Sequence, residues 1–155
     1  MNVQKLIDRY KLIPHPEGGY YREVYRSEQI LLSPAAGIKR NALTHIYFLL
    51  AKGQVSRFHK VVHDEVWNFY RGSPLKLIQY NGKDVTEAII GVPGNDFVTV
   101  VKGGIFQAAE TTGAYSLVGC TVAPGFEFED FSFLSDDPEL KAEFLKKYPD
   151  YQRLV

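Results

Sequence analysis

Gly53-Gln-Val-Ser-Arg-Phe-His59-Lys-Val-Val-His63-Asp-Glu65-Val-Trp67-Asn-Phe69-Tyr-Arg-Gly72 is the stretch on which the fold turns. It holds two short runs of alternating character, separated by His63-Asp64 and bounded by glycines. In an extended chain alternate side chains share a face. His59 is therefore expected on one face with Arg57 and Val61, and Glu65 on one face with Trp67 and Phe69. If the two runs pair through a turn at His63-Asp64, an imidazole and a carboxylate meet in a ring-lined space. Such a pair can ligate a metal. It can equally act as a base and its orienting partner.

Outward from this stretch the same pattern repeats. Tyr20–Arg26, Thr44–Leu50, Leu75–Tyr80, Val85–Ile90, Phe97–Val101, Ile105–Ala109 and Tyr115–Val122 read as further strands. Turn signals divide them: Lys52-Gly53, Gly72-Ser-Pro74, Asn81-Gly82, Gly91-Val-Pro-Gly94, Gly103-Gly104 and Thr112-Gly113. Asn81-Gly82 is the strongest hairpin signal, because both residues tolerate positive φ. Many short strands at regular spacing predict an all-β sandwich or barrel rather than a parallel α/β sheet. Two helices flank them. Asn2 caps one that ends near Tyr10, and Asp137 with Pro138 starts one whose apolar stripe is Leu140, Phe144 and Leu145. The segment around Ser33-Pro-Ala-Ala-Gly37 reads as a polar, exposed, mobile loop. With no repeat, linker or low-complexity tract, residues 1–155 read as one domain.

Composition narrows the function classes. Lys plus Arg balance Asp plus Glu at 18 each, and no basic run could track a phosphate backbone, so nucleic acid is not an expected partner. Zero net charge leaves little repulsion between copies, so self-association stays open, and pairing of exposed N-terminal strands makes a homodimer the expectation. Cys120, the single cysteine, lies in an apolar run and reads as a small buried hydrophobe. The polar start MNVQKLIDRYK lacks a signal-peptide stretch, and no run reaches membrane-spanning length, so a cytoplasmic chain without a membrane partner is expected. No Walker loop, dinucleotide fingerprint, nucleophile elbow or zinc-protease helix is present.

The spacing Gly53, His59, Val61, Glu65, Gly72 resembles the first sequence motif of the cupins, with Val61 where a second metal-binding histidine would stand. Gly104-Ile-Phe-Gln107 is similar to their second motif, with Gln107 at its histidine position and Lys102 in place of a common proline. His15-Pro-Glu-Gly-Gly-Tyr-Tyr-Arg-Glu23, Ile46-Tyr-Phe-Leu-Leu50, Asp64-Glu-Val-Trp67 and Leu117-Val-Gly-Cys-Thr-Val-Ala-Pro-Gly-Phe-Glu-Phe-Glu-Asp-Phe131 resemble one largely uncharacterised, Cupin_5-like branch found in bacteria and fungi. The resemblance implies a double-stranded β-helix, the jelly-roll or cupin barrel, similar to sugar-nucleotide epimerases of the rhamnose pathway. It also implies dimers formed through N-terminal strands.

Each candidate residue has a structural reading beside a functional one. Trp67, Phe69 and Tyr47 are either barrel core or the floor of a ligand pocket. His63 reads as an exposed turn residue, and the face of His45 is open. Glu17-Gly-Gly-Tyr-Tyr-Arg22 reads either as a structural turn, or as a clamp in which Arg22 with Tyr20 or Tyr21 holds an anion. Glu127, Glu129 and Asp130 are expected in solvent or paired with Arg or Lys, with Phe126, Phe128 and Phe131 packed. The metal set is incomplete, since His59 and Glu65 are good ligands and Gln107 a poor third, so no cofactor is assigned and a divalent metal is left open. The expected function is small-molecule binding with isomerase or epimerase chemistry on a polar, anionic, sugar-nucleotide-like substrate. His59 would be the base, Glu65 its tuning partner and Tyr47 the opposing acid, with Arg22, Tyr20, Arg57, Trp67, Phe69 and Gln107 binding substrate. The alternatives are a non-catalytic ligand-binding cupin and a metal-dependent one.

Overall fold

The computed structural model describes residues 2–93 and 96–155, so Gly94 of the expected turn lies outside the described residues. In chain order the elements are α1 (Val3–Tyr10), β1 (Ile13–Pro14), β2 (Tyr20–Arg26), β3 (Ile30–Leu32), β4 (Lys39–Asn41), β5 (Thr44–Ala51), β6 (Val55–Val61) and β7 (Asp64–Gly72). They continue with β8 (Leu75–Tyr80), β9 (Val85–Ile90), β10 (Val98–Val101), β11 (Phe106–Thr111), β12 (Tyr115–Ala123), β13 (Phe131–Phe133) and α2 (Pro138–Lys147). A six-stranded antiparallel sheet runs β1-β2-β5-β12-β7-β10, and a five-stranded one runs β13-β6-β11-β8-β9. This is the all-β double-stranded β-helix with a short helix near each end that the sequence predicts. No described helix is long and apolar enough to cross a membrane.

Alternation and turn chemistry explain most of the strands. β2, β8 and β9 have the predicted bounds, and the Asn81-Gly82 hairpin joins β8 to β9 in register Tyr80↔Val85. There the Asn81 side-chain oxygen accepts the amides of Lys83 and Asp84, and Gly82 takes φ 91°. Inward-facing residues of both sheets, Phe48, Leu50, Trp67 and Val118 from one and Leu75, Leu77 and Ala109 from the other, form a single core between them. α2 lays Phe144 on the outer face of the second sheet against Phe58, Ile78 and Tyr80. α1 seals the outer face of the first with Leu6 against Leu12, Leu49 and Leu117.

Two expectations are corrected. β6 and β7 do not pair: β6 bonds β11 and β13, and β7 bonds β12 and β10, so the chain crosses from one sheet to the other at His63. His63 is accordingly buried rather than an exposed turn residue. The 33–37 segment is the tip of the β3–β4 hairpin, exposed at Pro34, Ala35 and Gly37 as expected, with Ser33 buried at its base. Ser33 Oγ lies 2.6 Å from His63 Nε2, and Arg40 grips Asp130 with hydrogen bonds of 2.8 and 2.7 Å. Buried polar groups need such partners, and the hairpin supplies them.

Candidate active site

Between the two sheets lies a cavity of about 360 Å³. His59 and Glu65 both line it, one on each sheet, so they meet across the cavity instead of across a hairpin. The carboxylate in contact with His59 is not Glu65 but Glu17, whose Oε2 lies 3.1 Å from His59 Nε2.

Glu17 reaches the interior because of its loop. Gly18 at φ 113° and Gly19 at φ 72° let the backbone press against β6 and β5. A Cβ on Gly18 would stand 2.0 Å from the Val55 carbonyl oxygen, and one on Gly19 would stand 2.7 Å from that of Leu49. The Arg57 amide donates to the Glu17 carbonyl at 2.8 Å, fixing the loop to the strand. Ser56 Oγ–H donates to Glu17 Oε1 at 2.8 Å, and the Glu17 amide donates to His15 Nδ1 at 3.1 Å. The same strand carries a bulge: Gln107 faces His59 and Ala109 faces Ser56, so β6 spends one residue more than β11. The bulge turns Ser56 and His59 inward together. It removes Arg57 from the face of His59, where alternation puts it. The Arg57 guanidinium lies outside the cavity lining, over the Phe133 ring at 4.4 Å and bonded to the Pro16 carbonyl.

The hydrogen bonds fix the protonation pattern. His59 Nδ1–H donates to the Arg57 carbonyl at 2.7 Å, which leaves Nε2 as a lone pair aimed at Glu17. Burial lowers the pKa of this ring, which stays neutral, and it stacks on Phe131 at 5.0 Å. A lone pair facing a carboxyl oxygen is satisfied when the carboxyl carries the proton, and burial raises Glu17 to about 8. His15 is held neutral, its pKa lowered to about 3 by burial first and the neighbouring His59 second. Across the cavity burial raises Glu65 to about 7, opposed by His59 and by hydrogen bonds from Gln107 and Cys120. Burial thus raises both carboxyls, and Glu17, which faces the His59 lone pair, is the higher of the two. Carboxyls whose environments separate their pKa values in this way are suited to divide acid and base roles.

The other expected residues fall in different places. Arg22 borders the cavity but pairs in register with Tyr47, and its guanidinium donates from Nη1 to the Tyr10 carbonyl at 3.0 Å, at the end of α1. Tyr21, not Tyr20, faces the cavity, and Tyr20 packs outside the sheet with Leu6 and Leu49. Tyr47 follows Ile46 of the cavity wall and so points to the outer face, its ring 5.1 Å from Tyr10 and 6.0 Å from Tyr70; it cannot be the opposing acid. His45 is on that outer face too, between Thr121 and Tyr70. Trp67 and Phe69 belong to the core and are absent from the cavity lining, Trp67 with its ring 5.8 Å from Phe48. Gln107 sits behind Glu65 rather than beside a ligand. Its Oε1 accepts the Trp67 indole N–H at 2.8 Å, and its Nε2–H donates to Glu65 Oε2 at 2.5 Å. Cys120 is buried as expected, yet it lines the cavity and bonds Glu65.

The metal set does not fit. Gln107 spends its oxygen on Trp67 and offers Glu65 a donor, and among the described residues no three His, Cys, Asp or Glu side chains are placed to hold an ion. Sequence reasoning missed His15, Glu17, Ser56 and Phe131. The available signal was an acid two residues after a histidine, ahead of two glycines, inside a segment already singled out.

Comparison with known proteins agrees with this architecture. An uncharacterized Saccharomyces cerevisiae protein, YML079W, is 32% identical over 158 residues, covering 90% of this chain and 79% of that one. A hypothetical protein from Leishmania major superposes with a TM-score of 0.85 at 29% identity, over 100% of this chain and 97% of that one. A Shewanella oneidensis protein does so at 0.83 and 34% identity, over 100% and 95%. Residues 4–134 match the Cupin_5 family, described as Cupin superfamily (DUF985), and the chain belongs to that family.

Proposed function

We propose that the cavity is the active site of an isomerase or epimerase that moves a carbon-bound proton of a small, polar, anionic, sugar-like substrate. The observation that carries the reading is the 3.1 Å contact of Glu17 with His59 on one wall, with Glu65 on the other. Glu65, ionised near neutrality, accepts the proton from carbon. Glu17, its Oε1 held by Ser56, turns its proton from His59 Nε2 to the oxygen on which charge develops, or to the opposite face of the carbon. Phe131 and Phe126 close the cavity and keep water from the reacting carbon.

The test is exchange of carbon-bound hydrogen into deuterated solvent with a panel of sugar phosphates and sugar nucleotides. A substrate should exchange in the wild type, and Glu65→Gln should lower the rate by about 10²–10⁴. A panel member that binds in the cavity and never exchanges would remove the proposal in favour of simple ligand binding.

The protein is further proposed to act as a homodimer. The β3–β4 hairpin exposes Ile30, Leu32 and Ile38, and a chain of zero net charge opposes self-association weakly. Light scattering should give twice the chain mass, and Leu32→Asp with Ile38→Asp should halve it. A wild-type monomer at tens of micromolar would refute the dimer.

A further inference from the structure

His15 is a buried imidazole with one donor left over. Its side chain is only 5% exposed, wedged among the rings of Tyr21 at 4.5 Å, Phe48 at 5.8 Å and Phe128 at 5.9 Å. The Glu17 amide donates to Nδ1 at 3.1 Å, and an amide N–H can only donate, so Nδ1 is a lone pair. A pKa lowered to about 3 keeps the ring neutral, and its one proton therefore sits on Nε2.

Among the described residues Nε2 has no hydrogen-bond partner, yet none of their buried side-chain nitrogens or oxygens is left unpaired. Nε2 is thus open to the void that His15 borders, the cavity. An N–H without an acceptor in a wall of rings is a costly arrangement for a core residue. A phenylalanine would pack against the same rings, and an asparagine could hold the same loop amide through an Asx turn. The imidazole does both, and it also carries a neutral donor to the cavity.

We infer that the His15 Nε2–H binds the carbonyl oxygen of the substrate, which makes the substrate an aldehyde or ketone whose labile hydrogen lies on the adjacent carbon. This rests on reading the cavity as a site of proton transfer at carbon, and it narrows both the substrate and the step. Glu65 removes that hydrogen as a proton. The C–H electron pair becomes the C=C bond of an enolate, and the carbonyl π pair moves onto oxygen. His15 holds this oxygen by a hydrogen bond and keeps its own proton, because a neutral imidazole polarises a carbonyl without protonating it. The rings around it exclude water, so the bond strengthens as charge develops. With the oxygen held, the Glu17 proton goes to the opposite face of the carbon, the C=O bond re-forms, and the carbon is inverted. Glu65 then carries one proton more and Glu17 one fewer, and exchange with water restores both.

Two measurements test this. Imidazole ¹H–¹⁵N NMR of the wild type should show His15 as the Nε2–H tautomer, with no titration from about pH 5 to 8.5. Hydrogen exchange is then followed in His15→Asn and His15→Gln with keto and aldehydo sugar phosphates, dihydroxyacetone phosphate first. Asparagine keeps the bond to the Glu17 amide but falls short of the cavity, so kcat should drop about 10²–10³-fold with little change in KM or melting temperature. The longer glutamine should recover about tenfold or more of that loss. The infrared carbonyl stretch of the bound compound, lowered in the wild type, should return toward its value in water in His15→Asn. A ring protonated on Nδ1 or titrating near its ordinary value, an unchanged carbonyl stretch, or failure of every carbonyl sugar phosphate to bind would overturn the inference. Exchange that proceeds equally well in His15→Asn would overturn it too, and would leave the Glu65–Glu17 reading standing. A carbonyl polarised through His15 on a compound whose carbon never exchanges would do the reverse.

Discussion

Glu17→Gln should make the protein more stable at neutral and mildly alkaline pH, although it removes a buried residue at the centre of the site. The amide is an isostere of the protonated acid: its N–H₂ can donate to His59 Nε2, and its oxygen can accept from Ser56. Burial raises the folded-state pKa of Glu17 from 4.5 to about 8, so above pH 4.5 the native state holds a proton that the unfolded chain releases. The sign follows from linkage: stability is full below about 4.5 and falls as pH rises toward 8, at up to about 1.4 kcal/mol per unit. At pH 7 the glutamine variant should therefore lead by as much as roughly 3 kcal/mol, and at pH 4 the two should coincide. The buried neutral His15 and His59 act in the opposite sense, since their lowered pKa values remove stability as pH falls below about 6.5. That contribution is largely shared by both proteins. Urea midpoints from pH 4 to 8.5 measure the difference, and parallel curves would show that Glu17 carries no displaced proton. The same substitution should cost carbon exchange, the usual exchange of stability against function at a strained site.

Gly18→Ala should have the largest destabilising effect of any single methyl addition in the loop. Its Cβ would lie 2.0 Å from a backbone oxygen of β6, at φ 113°, and the obstacle is main chain rather than a movable side chain. The loop would have to lift, breaking the bond between the Arg57 amide and the Glu17 carbonyl and withdrawing Glu17 from His59. The cost should be on the order of 3–5 kcal/mol. Gly37→Ala is the control. It also has positive φ, but a Cβ there meets nothing within 4 Å, so it should cost only about 1–2 kcal/mol. Equal losses in the two variants would mean that the close approach at Gly18 is not what holds the loop.

The strands and most turns were legible because each depends on local chemistry: a period of two, β-branched and aromatic residues, and Asn-Gly at a hairpin. Both helix caps, Asn2 and Asp137, were legible for the same reason. The site was legible only where a local rule survives folding. His59 and Glu65 face the cavity, and Arg22 borders it. Arg57 failed because a bulge in β6 breaks the alternation, and the bulge is defined by the register against β11, which no window around Arg57 contains. Tyr47 and Tyr20 failed because the inward face of their strands was not fixed by local pattern; their neighbours Ile46 and Tyr21 are the inward residues. Pairing of β6 with β7 failed because adjacency in sequence suggests a hairpin, whereas the double-stranded helix sends consecutive strands to opposite sheets. Glu17 was hidden behind its glycines. What makes it chemical rather than structural is Ser56, 39 residues away, and His59 beyond it.

The chain of donors running from the Trp67 indole through Gln107 to Glu65 has an effect on how substitutions here will behave. The largest side chain in the interior and the Glu65 carboxyl in the cavity are two ends of one wire, and the amide between them can be reversed like a switch. With the indole N–H in place, the amide oxygen is claimed and its hydrogens must face the acid, favouring charge. Exchange the indole for a ring without that hydrogen, and the amide is free to turn its oxygen toward Glu65, which then keeps its proton to a higher pH. A change meant only to alter packing would reset the acidity of the carboxyl in the cavity.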